Sequence, residues 1–287
     1  MKYLSFNTPR YLAYLATHPL TSTVSASMLR KIVNQILPDS VKQRIQNYRT
    51  GTPIDDLDLV RTYLTQAGVR QGLMVDVGAH VGGSLAPFAR RGWTIHAFEP
   101  DQKNRAELRT LIQNEGFTSV RVDARAVANR TGEVSFYQSE VSSGISSLSS
   151  FHPSHTEMGK VQLIPLREYV ANKGVEKIDL LKIDTEGHDL FVLESLDWDT
   201  HRPRAIVCEF EDRKTEPLGY TVKDMHRFLS ERGYGVLISE WHPIVEYGRR
   251  HQWRQFTTDL ETLDTHAWGN LIAVPHAELS ALQALIP

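Results

Sequence analysis

From about residue 55 onward, short apolar runs alternate with stretches whose apolar positions recur every three or four residues. The runs at 73–77 (LMVDV), 94–100 (TIHAFEP), 119–127 (SVRVDARAV), 178–184 (IDLLKID), 205–210 (AIVCEF), 234–241 (YGVLISEW) and 270–275 (NLIAVP) read as strands. A helix is predicted from about Ser84, capped by that hydroxyl, with Pro87 in its first turn where a missing N–H does no harm. Asp101 is predicted to cap a second helix running to about Gln113, and helical patterns recur at 189–196 and 222–232. Strands alternating with helices predict an α/β, doubly wound, mostly parallel sheet covered on both faces. The last two strands have only the polar stretch 246–266 between them. They predict a closing antiparallel strand, reached through a C-terminal excursion over 242–268.

Two regions depart from this rhythm. Residues 139–160 are rich in serine and poor in apolar positions, which predicts either a loop over the mouth of a site or a plain insertion. Residues 1–52 are predicted to be a helical N-terminal extension of a domain covering 53–287. In it, Leu29, Ile32, Val33, Ile36 and Leu37 follow amphipathic spacing, Pro38 closes that helix, and Asp39 or Ser40 starts another.

Charge sharpens this division. The first fifty residues hold seven Lys or Arg and one acid, a local excess of +6 in a chain whose net charge is −2. The extension is expected to pack on the main domain; the sharper alternative is peripheral docking on anionic lipid or on a lipid-linked substrate, and the same helices suit a homodimer. No apolar run is long enough to span a bilayer and no continuous signal-peptide core is present, so a cytoplasmic protein is expected. The overall balance gives no reason to expect nucleic acid as partner. The single cysteine, Cys208, lies in an apolar run and reads as a buried structural thiol.

The first strand runs into VDVGAHVGGS (75–84), with glycines at 78, 82 and 83. In a doubly wound sheet, ligands sit at this turn. A dinucleotide fingerprint needs glycine where His80 stands, and a carboxylate at Asp76 would repel a diphosphate. The same carboxylate would suit a ligand carrying an ammonium and a sulfonium, as S-adenosylmethionine does. Glu99 ends the second strand, 21 positions after Gly78, where a carboxylate can accept hydrogen bonds from ribose hydroxyls. Asp123, ending the third, is expected near the adenine.

VDVGAHVGGS, HAFEPD and LLKIDTEGHDLFVLESL together resemble the FkbM family of S-adenosylmethionine-dependent methyltransferases, over roughly residues 70–210. The resemblance implies a class I, Rossmann-like methyltransferase fold and O-methylation, often of a sugar or polyketide hydroxyl. It implies that Asp76, Gly78 and Gly82, with Ala79 and His80 in the same turn, surround the methionine portion of the cofactor, with Glu99 at the ribose.

Methyl transfer needs an aligned acceptor and a destination for its proton. IDTEGHD places Asp184, Glu186 and His188 at one strand end. His188, near a helix N-terminus that disfavours its protonation, is a candidate general base, or else a solvent-facing histidine beside a capping aspartate. Asp184 is the candidate partner in both catalysis and cofactor binding. Asp184 with Glu209, and with Glu211 as a further ligand, would also make an all-oxygen pocket suited to Mg²⁺; otherwise these acids accept hydrogen bonds from the acceptor's hydroxyls. Trp241, His242, Trp253 and Trp268 offer faces for a sugar to stack on, or core packing. Lys182, inside a strand, is given no role. The function expected is S-adenosylmethionine-dependent O-methylation of a sugar, glycan or glycosylated natural product. A nicotinamide-dependent oxidoreductase and a non-catalytic adenosine-ligand binder are the alternatives.

Overall fold

The structure is a computed structural model that describes residues 50–246 and 251–287. Its strands are β1 (Leu73–Val77), β2 (Thr94–Phe98), β3 (Val120–Asp123), β4 (Ala126–Val127), β5 (Gly132–Ser139), β6 (His155–Ile164), β7 (Leu180–Ile183), β8 (Ala205–Glu211), β9 (Tyr234–Trp241), β10 (Trp253–Thr257) and β11 (Trp268–Pro275). Its helices are α1 (Asp56–Gln66), α2 (Ala86–Ala89), α3 (Gln102–Glu115), α4 (Leu166–Lys173), α5 (Asp189–Glu194), α6 (Asp212–Thr215), α7 (Val222–Ser230) and α8 (Leu279–Gln283).

The main sheet has the order β10-β9-β11-β8-β7-β1-β2-β3. The strands from β8 to β3 run parallel, and β11 inserts antiparallel between β8 and β9. This is the expected doubly wound, mostly parallel sheet, with β11 and the edge strand β10 running against the others. Because β1 lies between β2 and β7, strand order reverses there, opening a crevice beyond the carboxyl ends. Register then sets a row. Val77 pairs with Phe98 and with Ile183, and Ile183 pairs with Cys208. One residue further on, Glu99, Gly78, Asp184 and Glu209 stand level across four adjacent strands.

Both faces of the sheet are buried because the central strands are apolar at every position but a few. Met74 and Ile95 face α1, α2 and α3 through Leu59, Leu64, Phe88 and Leu108. Val75 and Phe98 face α4, α5 and α7 through Leu166, Val192, Met225 and Leu229. Each such fully buried side chain contributes about 1.5–3 kcal/mol of transfer free energy. Asp101 caps α3 by accepting from the N–H groups of Lys103 and Asn104, as its sequence position predicts. Cys208 is a buried free thiol.

Several expectations are corrected. Ser84 does not cap α2: its hydroxyl donates to Asp76 Oδ2 at 2.6 Å, and Leu85 takes the N-cap position without a side-chain bond. Pro87 does lie in the first turn. The run 119–127 is two strands: β3 ends at Asp123, and β4 joins a separate three-stranded sheet of order β4-β6-β5. The serine-rich segment is also shorter than expected, since 155–160 belong to β6, whose partner β5 precedes it in an antiparallel hairpin. The polar stretch before β11 contains β10, paired with β9 at the sheet edge. The predicted helices within residues 1–49 lie outside the described residues. No helix among the described residues is long and apolar enough to cross a membrane.

Candidate functional site

The row at the strand ends floors a cavity of about 340 Å³, lined by Gly78, His80, Glu99, Asp184, Glu186, Glu209 and Lys214 among others. Its upper wall comes from Ser142 and residues 144–148, and its far side from Ile244, His251 and Trp268. The serine-rich segment is tied down by its own hydroxyls. Ser147 Oγ donates to the Glu186 carbonyl at 2.9 Å, and Ser147 pairs with Tyr137 through both backbone bonds.

At the β1–β2 side the turn is fixed from below. Gly78 has φ of +81°, and a Cβ there would sit 1.8 Å from the Asp184 carbonyl oxygen, so only glycine fits. Glu99 accepts from the backbone N–H of His80 at 2.7 Å and of Asp101 at 2.8 Å, one bond to each oxygen. Burial pushes its carboxyl up to about 7 against those two donors. Each oxygen keeps a lone pair for a hydroxyl donor from the cavity. His80 holds the left-handed conformation at φ +50°, which sustains its bond to Glu99.

Beneath this turn lies Lys182. Its Nζ donates to the Gly78 carbonyl at 2.9 Å and lies 3.4 Å from Asp76 and 3.3 Å from Asp184. Burial alone would lower the lysine pKa, but these two carboxylates outweigh it and raise it. Asp76 is fully buried and held between Lys182 and Ser84. It does not line the cavity, so its charge meets a lysine instead of a cationic ligand.

At the β7–β8 side the acids are denser. The side-chain oxygens of Asp184, Glu186 and Glu209 lie within 4.8 Å of one another. Lys214, on the short helix α6 after β8, reaches Glu186 at 2.5 Å, Glu211 at 2.8 Å and Glu209 at 3.6 Å. Burial raises Glu186 and Glu209, with Lys214 opposing. For Glu211 burial is outweighed by Lys214 and Arg213, which together lower it. An all-oxygen set is what Mg²⁺ takes, but the Lys214 ammonium already engages Glu186 and Glu209 of this set. As arranged, the residues do not fit a divalent metal.

The FkbM methyltransferase domain model matches residues 76–236, more than half of the chain and including the whole cavity floor. The chain belongs to the FkbM methyltransferase family. It is an S-adenosylmethionine-dependent methyltransferase. Comparison with curated protein sequences gives no match. Among solved structures, the fold is similar to magnesium protoporphyrin IX methyltransferase from Synechocystis PCC 6803 with bound S-adenosylhomocysteine. That match has 13% identity over 87% of this chain and 94% of the other, at a TM-score of 0.42. A similar match is an rRNA methylase from Streptococcus thermophilus, with 11% identity over 77% and 93% and a TM-score of 0.41. A third is precorrin-6Y C5,15-methyltransferase from Geobacter metallireducens, with 11% identity over 76% and 87% and a TM-score of 0.39. Likenesses of this size name no acceptor.

In this FkbM methyltransferase the cavity gathers Gly78, His80, Glu99, Asp184 and Glu209 from the sequence-predicted set. The others stand elsewhere. Ala79 is buried beneath the turn, and Gly82, at φ +92°, packs on Leu108 and Leu111 of α3. Asp123 is clasped by Arg125 at 2.6 Å and does not reach the cavity. Glu211 is taken by Lys214 and Arg213 (2.9 Å) and lies outside the group of mutually close acids.

His188 is the largest displacement. It occupies the N-cap position of α5 and lines a second cavity of about 270 Å³ with Asn129, Arg130 and Phe191. Burial pushes its imidazole down to about 4, and its Nδ1 has no hydrogen-bond partner. Its Nε2 is 3.4 Å from Ser149 Oγ. The reason is the turn before it. Glu186 (φ +56°) and Gly187 (φ +104°) reverse the chain, so Glu186 faces the cavity and His188 falls behind it. Glu186 and Lys214 are charged cavity residues for which the sequence alone predicts no role. A positive φ at a non-glycine residue is the structural mark of Glu186, and the sequence signal was only its place between Asp184 and His188.

Proposed function

We propose that this methyltransferase acts on a hydroxyl of a sugar, glycan or glycosylated small molecule, with the cofactor on the β1–β2 side of the cavity and the acceptor on the β7–β8 side. The observation carrying this reading is the single row Glu99–Gly78–Asp184–Glu209, whose first half is a turn with a buried carboxylate and whose second half is a cluster of acceptors. S-adenosylmethionine, when bound, supplies a methyl group already activated by positive sulfur. Glu99 would accept from the ribose hydroxyls, and Gly78 and His80 would border the methionine portion. Asp184, level with both halves, would face the junction where cofactor and acceptor meet.

On the acceptor side, Glu186 and Glu209 offer carboxylate oxygens to hydroxyl donors, and Trp268 offers an aromatic face. Such a wall suits a neutral, hydroxyl-rich molecule. As the acceptor oxygen bonds to the methyl carbon, the carbon–sulfur bond breaks, its electron pair stays on sulfur, and the hydroxyl proton passes to a carboxylate of this wall. Asp184 or Glu209 fills that role in place of His188, which faces the other cavity.

Incubation with S-adenosylmethionine and a panel of methyl glycosides, followed by mass spectrometry, tests the reading. The expected result is a product heavier by one methylene, with S-adenosylhomocysteine formed in equal amount. Methylation confined to an amine, a carbon or an RNA oligonucleotide included in the panel would contradict it.

A further inference from the structure

The acidic side of the cavity contains its own cation. Lys214 is 4% exposed, and the turn 185–187 is built around it. A Cβ added at Gly187 would meet Lys214 Cβ at 3.2 Å, and the Phe151 ring lies 5.3 Å from its Nζ. Glu186 keeps a left-handed backbone while its carboxylate holds the ammonium and its carbonyl accepts from Ser147. Strain of this kind persists where surrounding contacts over-determine it. An ammonium this buried is stable only when paired, and three carboxylates supply the pairing.

The pairing is unequal. Glu186 and Glu211 take the two short contacts, and Arg213 takes a further share of Glu211. Glu209 lies 3.6 Å from the ammonium, which leaves its carboxylate least engaged, at the edge of the cavity. Meanwhile Asp184, Glu186 and Glu209 have the mutual spacing that a divalent ion would take. A second cation among them would be repelled by the first.

We propose that Lys214 is the resident cation of this site: it holds the Glu186 and Glu209 carboxylates that a divalent metal would take, and it positions them as acceptors toward the substrate's hydroxyl. The inference rests on the methyltransferase reading only for what the cavity receives. Lys214 is a positioning residue, acting through the two carboxylates. Removing its charge while keeping the fold turns Asp184, Glu186 and Glu209 into a divalent-cation site.

The test uses the full chain, stripped with EDTA and titrated with MnCl₂ by calorimetry and by the electron paramagnetic resonance signal of free Mn²⁺. The unmodified protein is expected to show no stoichiometric binding. Lys214→Gln is expected to bind one Mn²⁺ at least about tenfold more tightly, and to lose it when Glu209→Gln is added. Stoichiometric binding by the unmodified protein that Glu209→Gln abolishes would overturn the proposal. So would a Lys214→Gln chain, folded by circular dichroism, that binds Mn²⁺ no better than the unmodified one. If Lys214→Gln does not fold, Lys214→Arg keeps the charge and is expected to stay without Mn²⁺; a Mn²⁺ site gained there overturns the proposal. Titrating the same protein with S-adenosylhomocysteine separates the two ideas, because its failure to bind would contradict the methyltransferase reading and leave the Mn²⁺ result standing.

Discussion

The two halves of the cavity floor satisfy their carboxylates by different means. On the β1–β2 side Glu99 is held by two backbone N–H groups from the turns that follow β1 and β2, and Asp76 is buried against Lys182. On the β7–β8 side Glu186, Glu209 and Glu211 share one lysine side chain. Backbone donors fix a carboxylate at a set position and leave it able to accept more bonds, which suits recognition of a constant ligand. A shared ammonium makes three acids depend on one residue, which suits a site whose charge must be balanced as protons move. The first half is rigid by turn geometry and the second by electrostatics.

The largest effect should come from breaking the electrostatic half. Lys214→Met leaves Glu186 and Glu209 buried without their cation, while Glu211 keeps Arg213, and a loss of about 3–5 kcal/mol is expected in urea melts at pH 8. The loss should shrink toward pH 5. Glu186 and Glu209 have folded pKa values raised above their unfolded ones, so protonated forms favour the fold as pH falls. An equal loss at both pH values would mean that the lysine does not balance these acids.

Breaking the geometric half should cost somewhat less. Gly78→Ala forces a Cβ onto the Asp184 carbonyl at φ +81°, with an expected loss on the order of 2–4 kcal/mol and little pH dependence. Gly83→Ala, which meets nothing within 4 Å, is the matched control and should change stability by less than about 1 kcal/mol. Similar losses at both glycines in thermal melts would contradict the close approach of β1 to β7.

How much of this was legible follows the same division. Strand and helix periods, the Asp101 cap and the row of strand-end residues follow from local pattern and the parallel register that such a pattern requires. Lys182 and Lys214 did not. Lys182 meets Asp76 only because β7 lies beside β1, more than a hundred residues apart in the chain. Lys214 sits on a four-residue helix, too short to show a period, and reaches back 28 residues to Glu186. His188 lines the second cavity and not the one holding Asp184, because sequence proximity to Asp184 does not reveal two successive positive-φ residues. Residues 1–49 of the N-terminal extension, with its proposed lipid contact and dimer, fall outside the described residues.

A smaller effect concerns pH and ligand. If ribose hydroxyls donate to Glu99, binding favours its ionised form, so affinity for S-adenosylhomocysteine should fall as pH drops through about 7. The fall should approach about tenfold per pH unit well below that point, and Glu99→Gln should flatten it. The smallest effect is expected at His188. Because its ring lines the second cavity, His188→Ala should leave S-adenosylhomocysteine affinity within about twofold by calorimetry. A tenfold loss would place that ring at the cofactor after all.

The turn at Gly78 and the carboxylate of Glu99 are proposed to form the cofactor site. Isothermal titration of the full chain with S-adenosylhomocysteine at pH 8, beside Glu99→Ala, tests it most directly. One site per chain is predicted, weakened at least about tenfold in the variant. No binding by the unmodified protein, or equal binding by both, would contradict it.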